Sequence, residues 1–372
     1  MLIPVLPLYL TDVGVSLELA GVVLGATGIG AALGGLPAGA AMARVSENTA
    51  LVGALVLIAI STALLGLTAG ALALVVLRAA TGAGRATLRL SRQTYVTRRV
   101  DDSIRGRALA NMGGSIRVSM LIGPVLGGVL VDQVGFETTF LVAGLFAMVG
   151  LLPLLASKDD FGIPRERGRA RRGLLRALND HRRLLGKIAV VPFLIVASRE
   201  ARQVVFPLIG DDLALSASAI GVLIAATSVA DLLLFPLAGY LMDRFGRLWG
   251  MTPSFVLMGL GHIALGLAWG RGSVFLVVLA GIGIGIGNGL SAGSLLTLGS
   301  DVAPEDAAPE FLAGLGTLQE GGRVVGPLMV GVVGAGISLG AAAFAIALLL
   351  FVAAVWVTFV IGETKSVMRS SR

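Results

Sequence analysis

Long, nearly unbroken apolar runs dominate this chain. They cover residues 1–11, 19–42, 49–70, 72–95, 109–133, 137–157, 188–210, 218–242, 249–269, 274–299, 310–333 and 338–362. Most reach the ~20 residues that a helix needs to cross about 30 Å of hydrocarbon. The connections between them are short, with one exception. Residues 157–187 form a long charged stretch with ten Lys or Arg side chains, six runs before it and six after. The pattern predicts an all-α polytopic membrane protein of two six-helix bundles. The expected organisation is a first bundle over 1–156, a basic cytoplasmic linker over 157–187, a second bundle over 188–363 and a cytoplasmic tail over 364–372. The first run is short: as a helix its ten residues cover only ~15 Å. No basic region precedes it, which makes it a poor signal peptide. It reads as the outer half of a first membrane helix, truncated here, whose remainder is expected upstream of Met1.

Composition agrees with that picture. The chain is 56% hydrophobic and only 14% charged, with a mean hydropathy of +0.91. A soluble domain cannot cover its surface with so few charges. The 53 glycines suit membrane helices, where small residues allow close packing. There is no cysteine, hence no disulfide or thiol chemistry. The net charge of +7 raises the question of nucleic acid, but its placement argues against that partner. Arg44, Arg98, Arg99, Arg105, Arg107, the 157–187 stretch, Arg244, Arg247, Lys365, Arg369 and Arg372 fall in alternate connections. The opposite connections hold Asp12, Glu18, Asp132, Glu137, Asp211 and Asp212, with Arg271 as their cation. The bias of Lys and Arg towards the inside predicts an inner cell membrane location with both ends of an intact chain cytoplasmic.

The two halves resemble each other. Pro7, Asp12, Ser16, Gly21, Gly39 and Arg44 recur 200 residues later as Pro207, Asp212, Ser216, Gly221, Gly239 and Arg244. Further on the offset becomes 203: Gly82 and Gly84 match Gly285 and Gly287, Asp102 matches Glu305, and Gly123-Pro124 matches Gly326-Pro327. Two parallel repeats joined by a cytoplasmic loop suit a transporter whose substrate site lies between them.

Several short motifs carry a family resemblance. Residues 239–247 read GYLMDRFGR and resemble the loop signature GxLaDRxGRR of the major facilitator superfamily through Gly239, Asp243, Arg244, Gly246 and Arg247. The equivalent stretch 39–48, GAAMARVSEN, keeps Gly39 and Arg44 but has Ala43 for the acid, Ser46 for the second glycine and Glu47 for a base. That departure puts the gating contact of the first half in question. Arg78, Gly82 and Gly84 resemble the RxxxGxG element of the fourth helix. Gly114, then Gly123, Pro124, Gly127 and Gly128, is similar to the fifth-helix signature of the drug:proton antiporter (12-helix) branch. Leu6-Pro7-Leu8-Tyr9 resembles the end of the first helix of drug exporters. The resemblance covers essentially the whole chain. It implies the major facilitator fold, two six-helix bundles with pseudo-two-fold symmetry, and a pathway lined by helices 1, 4, 7 and 10.

Charged residues inside the apolar runs are the candidates for chemistry, because an arginine facing lipid at mid-depth costs at least ~2.5–3.5 kcal/mol. Arg78, Arg85, Arg89 and Arg92 fall within about 60° of one another on a helical projection, so they form one stripe. Arg78 and Arg85 are read as substrate or coupling residues, whereas Arg89 and Arg92 can simply snorkel to the cytoplasmic surface. Arg199, Glu200 and Arg202 lie near mid-membrane in the seventh run. Glu200 is a candidate proton carrier, since a carboxylate in a low-dielectric site can load and release protons near neutrality. The alternative is a fixed ion pair that holds this helix to a neighbour. Arg117 and Asp231 are each mid-helix, and the resemblance implies that their helices touch. An Arg117–Asp231 pair would lock one access state and break on protonation, or serve as a purely structural bridge. Glu320 and Arg323, at i,i+3 spacing, are expected to pair, with Glu320 in the repeat position of Arg117. Asn288 and Gln319 read first as glue between helices.

Other signals carry no site. The glycine run 281–289 lies inside an apolar span, so helix packing explains it better than dinucleotide binding. There is no P-loop sequence, and His181 and His262 are too isolated for a metal. No cofactor, metal or enzymatic activity is expected. The expected function is proton-coupled export of a small organic solute or drug by a monomer in the lipid bilayer. The alternatives are a proton symporter importing an anionic metabolite and a non-transporting or defective membrane homologue.

Overall fold

A computed structural model describes residues 1–41, 47–156 and 179–364, and among these the regular elements are all helices. They are α1 (Leu2–Asp12), α2 (Leu17–Ala41), α3 (Glu47–Leu65), α4 (Ala71–Arg99), α5 (Asp102–Val149), α6 (Leu152–Ala156), α7 (Arg182–Asp212), α8 (Ala217–Arg244), α9 (Arg247–Arg271), α10 (Val274–Leu290), α11 (Ser294–Val302), α12 (Ala308–Gly336) and α13 (Leu339–Val355). A π-helical turn, Trp356–Ile361, ends the last one. Arg44, Ser46, most of the linker and the basic tail lie outside the described residues.

Eight helices among the described residues are long and apolar enough to cross a membrane. The difference from twelve apolar runs has physical causes. α5 holds two runs, joined at Gly135, whose φ of 78° and ψ of 174° interrupt the helix. The tenth run turns at Ser291–Gly293 between α10 and α11, with Gly293 at φ 80°, yet Val274–Val302 still counts as one span. α7 and α12 carry charges at mid-length, and α1 is short.

The chain divides into two compact units, Met1–Arg167 with Ser216–Gly221, and Gly168–Leu215 with Val222–Arg372. In the first, α4 packs between α2 and α3, and α5 lies against α1 and α3. Its core gathers Val5, Leu6, Tyr9, Leu10, Val23, Leu65, Leu74 and Phe140. Tyr9 donates its hydroxyl to the Thr68 carbonyl at 3.0 Å and sets its ring against Phe136 and Phe140. In the second unit, α9 packs between α10 and α13, and α7 lies against α12 and α13.

Two details repeat between the units. Gly82 on α4 meets the backbone of Thr27 on α2, and Gly285 on α10 meets the backbone of Thr227 on α8, so closely that a Cβ would collide at either place. The turn after α1 and the turn after α7 share one hydrogen-bond pattern, Val15 N to Leu10 O and Leu215 N to Gly210 O. Both place their tip in the left-handed region: Gly14 at φ 74° and Ala214 at φ 57°.

Candidate functional site

The charges of the second unit come together on four elements. α7 contributes Arg199, Glu200, Arg202 and Gln203, α8 contributes Asp231, α10 contributes Asn288, and α12 contributes Glu320 and Arg323. α8 and the α10–α11 segment are long and apolar enough to cross a membrane, and the polar side chains of the four elements turn towards one another.

Two groups of contacts result. In the first, Asn288 donates from Nδ2 to Asp231 Oδ2 at 2.7 Å, and Arg199 donates from Nη2 to Ser291 Oγ at 2.9 Å. Ser291 sits in the turn that ends α10 and in turn donates to the Asn288 carbonyl at 2.9 Å. One short segment thus connects the carboxylate of α8 to a guanidinium of α7. In the second, Arg323 Nε lies 3.4 Å from Glu320 Oε2 and 3.9 Å from Glu200 Oε1, both ion-pair separations rather than hydrogen-bond geometry. Gln203 donates to Glu200 Oε2 at 3.3 Å. Arg323 therefore stands between carboxylates from its own helix and from α7. Arg202 is within electrostatic reach of both Asp231 and Glu200 and so relates the two groups. Glu320 is buried, while Glu200 keeps 30% of its side-chain surface accessible.

Among the residues singled out from sequence, those of the first unit are spread along α4 and α5. Arg78 is buried, Arg85 is exposed and Arg117 is partly exposed. In the fifth-helix motif, Gly127 lies against Met1 and Val5 of α1, Gly128 against Ala217, and Gly123 against Met1, whereas Gly114 has open space around it. The Pro124 carbonyl lies against Gly221, and Asp132 accepts hydrogen bonds from the Ala217 and Ser218 amides at 3.2 and 2.9 Å, all within the first unit.

The loop motif at the α8–α9 turn forms a second polar centre. Arg247 donates from Nε to Asp301 at 2.8 Å and from Nη1 to Asp243 at 3.0 Å. Its backbone N–H and that of Leu248 donate to the two carboxylate oxygens of Glu363, at 2.8 and 3.1 Å. Gly246 makes room for Glu363, with φ at 114°. Arg244 takes a different direction. It donates to the Tyr240 hydroxyl at 2.7 Å and stacks over the Tyr240 and Phe245 rings, 5.7 Å from each centroid. Gly239 has open space around it.

Sequence reasoning missed Gln203, Ser291, Asp301 and Glu363. Ser291 looked like an ordinary small residue of a glycine-rich span. Asp301 and Glu363 are separated from Arg247 by 54 and 116 positions, and no local pattern reports such a pairing.

Comparisons place this geometry. A family model described as Major Facilitator Superfamily matches residues 1–198 and again residues 188–371. Among curated proteins, the chain is 25% identical over 262 residues to a protein named multi-drug resistance efflux pump PmrA homolog from Lactococcus lactis, covering 68% of this chain and 62% of that protein. It is 36% identical over 87 residues to an uncharacterized MFS-type transporter of Mycobacterium tuberculosis, covering 23% of this chain and 15% of that one. The chain thus spans less than two thirds of the length of these curated relatives. Among solved structures, a bacterial homolog of the human lysosomal transporter Spinster matches with a TM-score of 0.74 at 14% identity, over 100% of this chain and 92% of that one. The nucleoside transporter NupG matches with a TM-score of 0.78 at 15% identity, over 95% and 93%. At these identities the likeness is one of fold.

Proposed function

This chain belongs to the Major Facilitator Superfamily, and from that premise we propose that it is a secondary active transporter that exports a small organic solute in exchange for protons by alternating access. The observation that carries the reading is the Asp231 site: a carboxylate in the midst of an apolar helix, held by Asn288 and within electrostatic reach of Arg202 on α7. Such a group changes its charge when it takes up a proton, and every partner that its charge holds must then readjust. Glu200 and Glu320 offer the same chemistry around Arg323. The antiporter-like glycine and proline signature on α5 and the similarity to an efflux pump homolog support export. The reading places the protein in the inner cell membrane, as a monomer, with both ends cytoplasmic.

The test is reconstitution into liposomes that contain a pH-sensitive dye, challenged with a panel of lipophilic cations and organic anions. Export by exchange predicts proton movement opposite to the solute. Asp231→Asn is expected to abolish that movement, at least tenfold below wild type, with the protein still folded in detergent. Normal flux in the variant removes Asp231 from the coupling role. Proton movement in the same direction as an anion selects the second reading, a symporter. That reading is favoured by Arg78, Arg85 and Arg117, because the described carboxylates of the first unit lie at helix ends, in connections or beside the Gly135 interruption of α5.

A further inference from the structure

His262 lies in the middle of α9 and is fully buried. Met251, Phe255, Met258 and Leu265, spaced along the same helix, are equally inaccessible. The simplest role for His262 is therefore to fill space, and its hydrogen bonds argue for more. Nδ1 lies 2.7 Å from the carbonyl oxygen of Met258, one turn earlier. A carbonyl only accepts, so Nδ1 carries the imidazole proton. Nε2 then presents a lone pair, and it has no hydrogen-bond partner among the described residues. A buried acceptor left in this state is costly, and native proteins seldom keep one.

The same bundle holds a matching donor. Arg202 on α7 has a buried Nη1 that likewise lacks a hydrogen-bond partner among the described residues. α7 touches α9, and the Arg202 guanidinium is within electrostatic reach of His262. A positive group beside a neutral imidazole is acceptable only if the imidazole turns its lone pair towards it. The Met258 carbonyl selects the tautomer that does so. Arg202 also reaches Asp231 and Glu200, so its aim affects both carboxylates.

We propose that His262 is a positioning residue for transport: its Nε2 accepts from one buried water that in turn accepts from Arg202 Nη1, and so directs the guanidinium at Asp231 and Glu200. The inference rests on the coupling role given above to those carboxylates. It assigns His262 no proton transfer and no contact with the solute. An arginine carries five donors on a flexible stem, and fixing one of them limits where the others point.

The chain has two histidines, so His181→Gln leaves His262 as the sole imidazole. In that background, 15N NMR of histidine-labelled protein in nanodiscs reads each ring nitrogen separately. The expected spectrum shows a protonated Nδ1 and an unprotonated, hydrogen-bonded Nε2. Arg202→Leu is expected to shift the Nε2 signal to its unbonded position and leave Nδ1 unchanged; Arg202→Met, which also lacks a donor, serves if the leucine variant does not fold. A proton on Nε2, or an Nε2 signal indifferent to Arg202, overturns the proposal. Transport adds a second readout, with ethidium as the solute in dye-loaded liposomes. His262→Leu is expected to lower the maximal proton flux about tenfold through a misdirected Arg202. His262→Gln, whose side-chain carbonyl can stand in for Nε2, is expected to recover at least half of the flux. Equal losses in both variants reduce His262 to a space-filler. If wild type moves no protons with ethidium or any other solute, the transport reading fails while the NMR arm still decides whether His262 holds Arg202.

Discussion

Gly246 combines two constraints that no other residue type satisfies. Its φ of 114° is rarely open to L side chains, and a Cβ there would collide with the Glu363 carboxylate that caps α9. Replacing it with alanine strains the backbone and displaces the cap together. Gly246→Ala is expected to cost about 2–4 kcal/mol, seen as a lowered unfolding midpoint in detergent. Gly239 belongs to the same loop motif but has open space around it. Gly239→Ala, on the helical backbone of α8, is expected to leave the midpoint unchanged or slightly raised. Equal effects at the two glycines would show that the Glu363 cap does not determine the Gly246 requirement. The motif was legible in the sequence as a string of residue types, and it marked both glycines alike. Their difference was not legible, because it depends on Glu363, which follows Gly246 by more than a hundred positions.

The elements were largely legible because a membrane span needs a length and a composition, and both are local properties. What escaped was where a span breaks. α5 continues through two apolar runs with only Gly135 between them, and α10 stops at Ser291 inside a single run. Neither event changes the hydropathy. The turns that follow α1 and α7 show how the repeat acts at this scale. Their hydrogen bonds coincide, yet the left-handed tip is glycine at 14 and alanine at 214. An L-residue other than glycine pays roughly 1–2 kcal/mol for that conformation. Glycine gives back part of the gain through its freer unfolded chain. Ala214→Gly is thus expected to stabilise the second unit by about 0.5–1 kcal/mol, with the reverse change, Gly14→Ala, destabilising by a similar amount. Thermal unfolding of the two variants beside wild type checks both signs.

Across the whole molecule close packing and the charges of the connections repeat, whereas the charges inside the apolar runs do not. Gly82 and Gly285 make equivalent close contacts in the two units, whereas Arg117 in one stands where Glu320 stands in the other. The candidate site was legible as a set of misplaced charges. Its connectivity was not, because Ser291 and Gln203 carry no charge to attract notice. A consequence can be tested at Arg323, which lies within ion-pair distance of Glu320 and Glu200. If its task is to balance them, removing it leaves the buried Glu320 without its cation and Glu200 with Arg202 alone. Arg323→Gln is then expected to destabilise by about 1–3 kcal/mol, less than a fully buried pair because Arg323 keeps 41% of its side chain accessible. Adding Glu320→Gln should restore more than half of that loss, since the second change removes the stranded charge. The same double variant should still fail to move protons in liposomes if Glu320 takes part in coupling. Recovered stability with recovered flux would leave Glu320 a structural role alone. Losses that simply add would mean that Arg323 and Glu320 act independently, and that the 3.4 Å separation carries no mutual stabilisation.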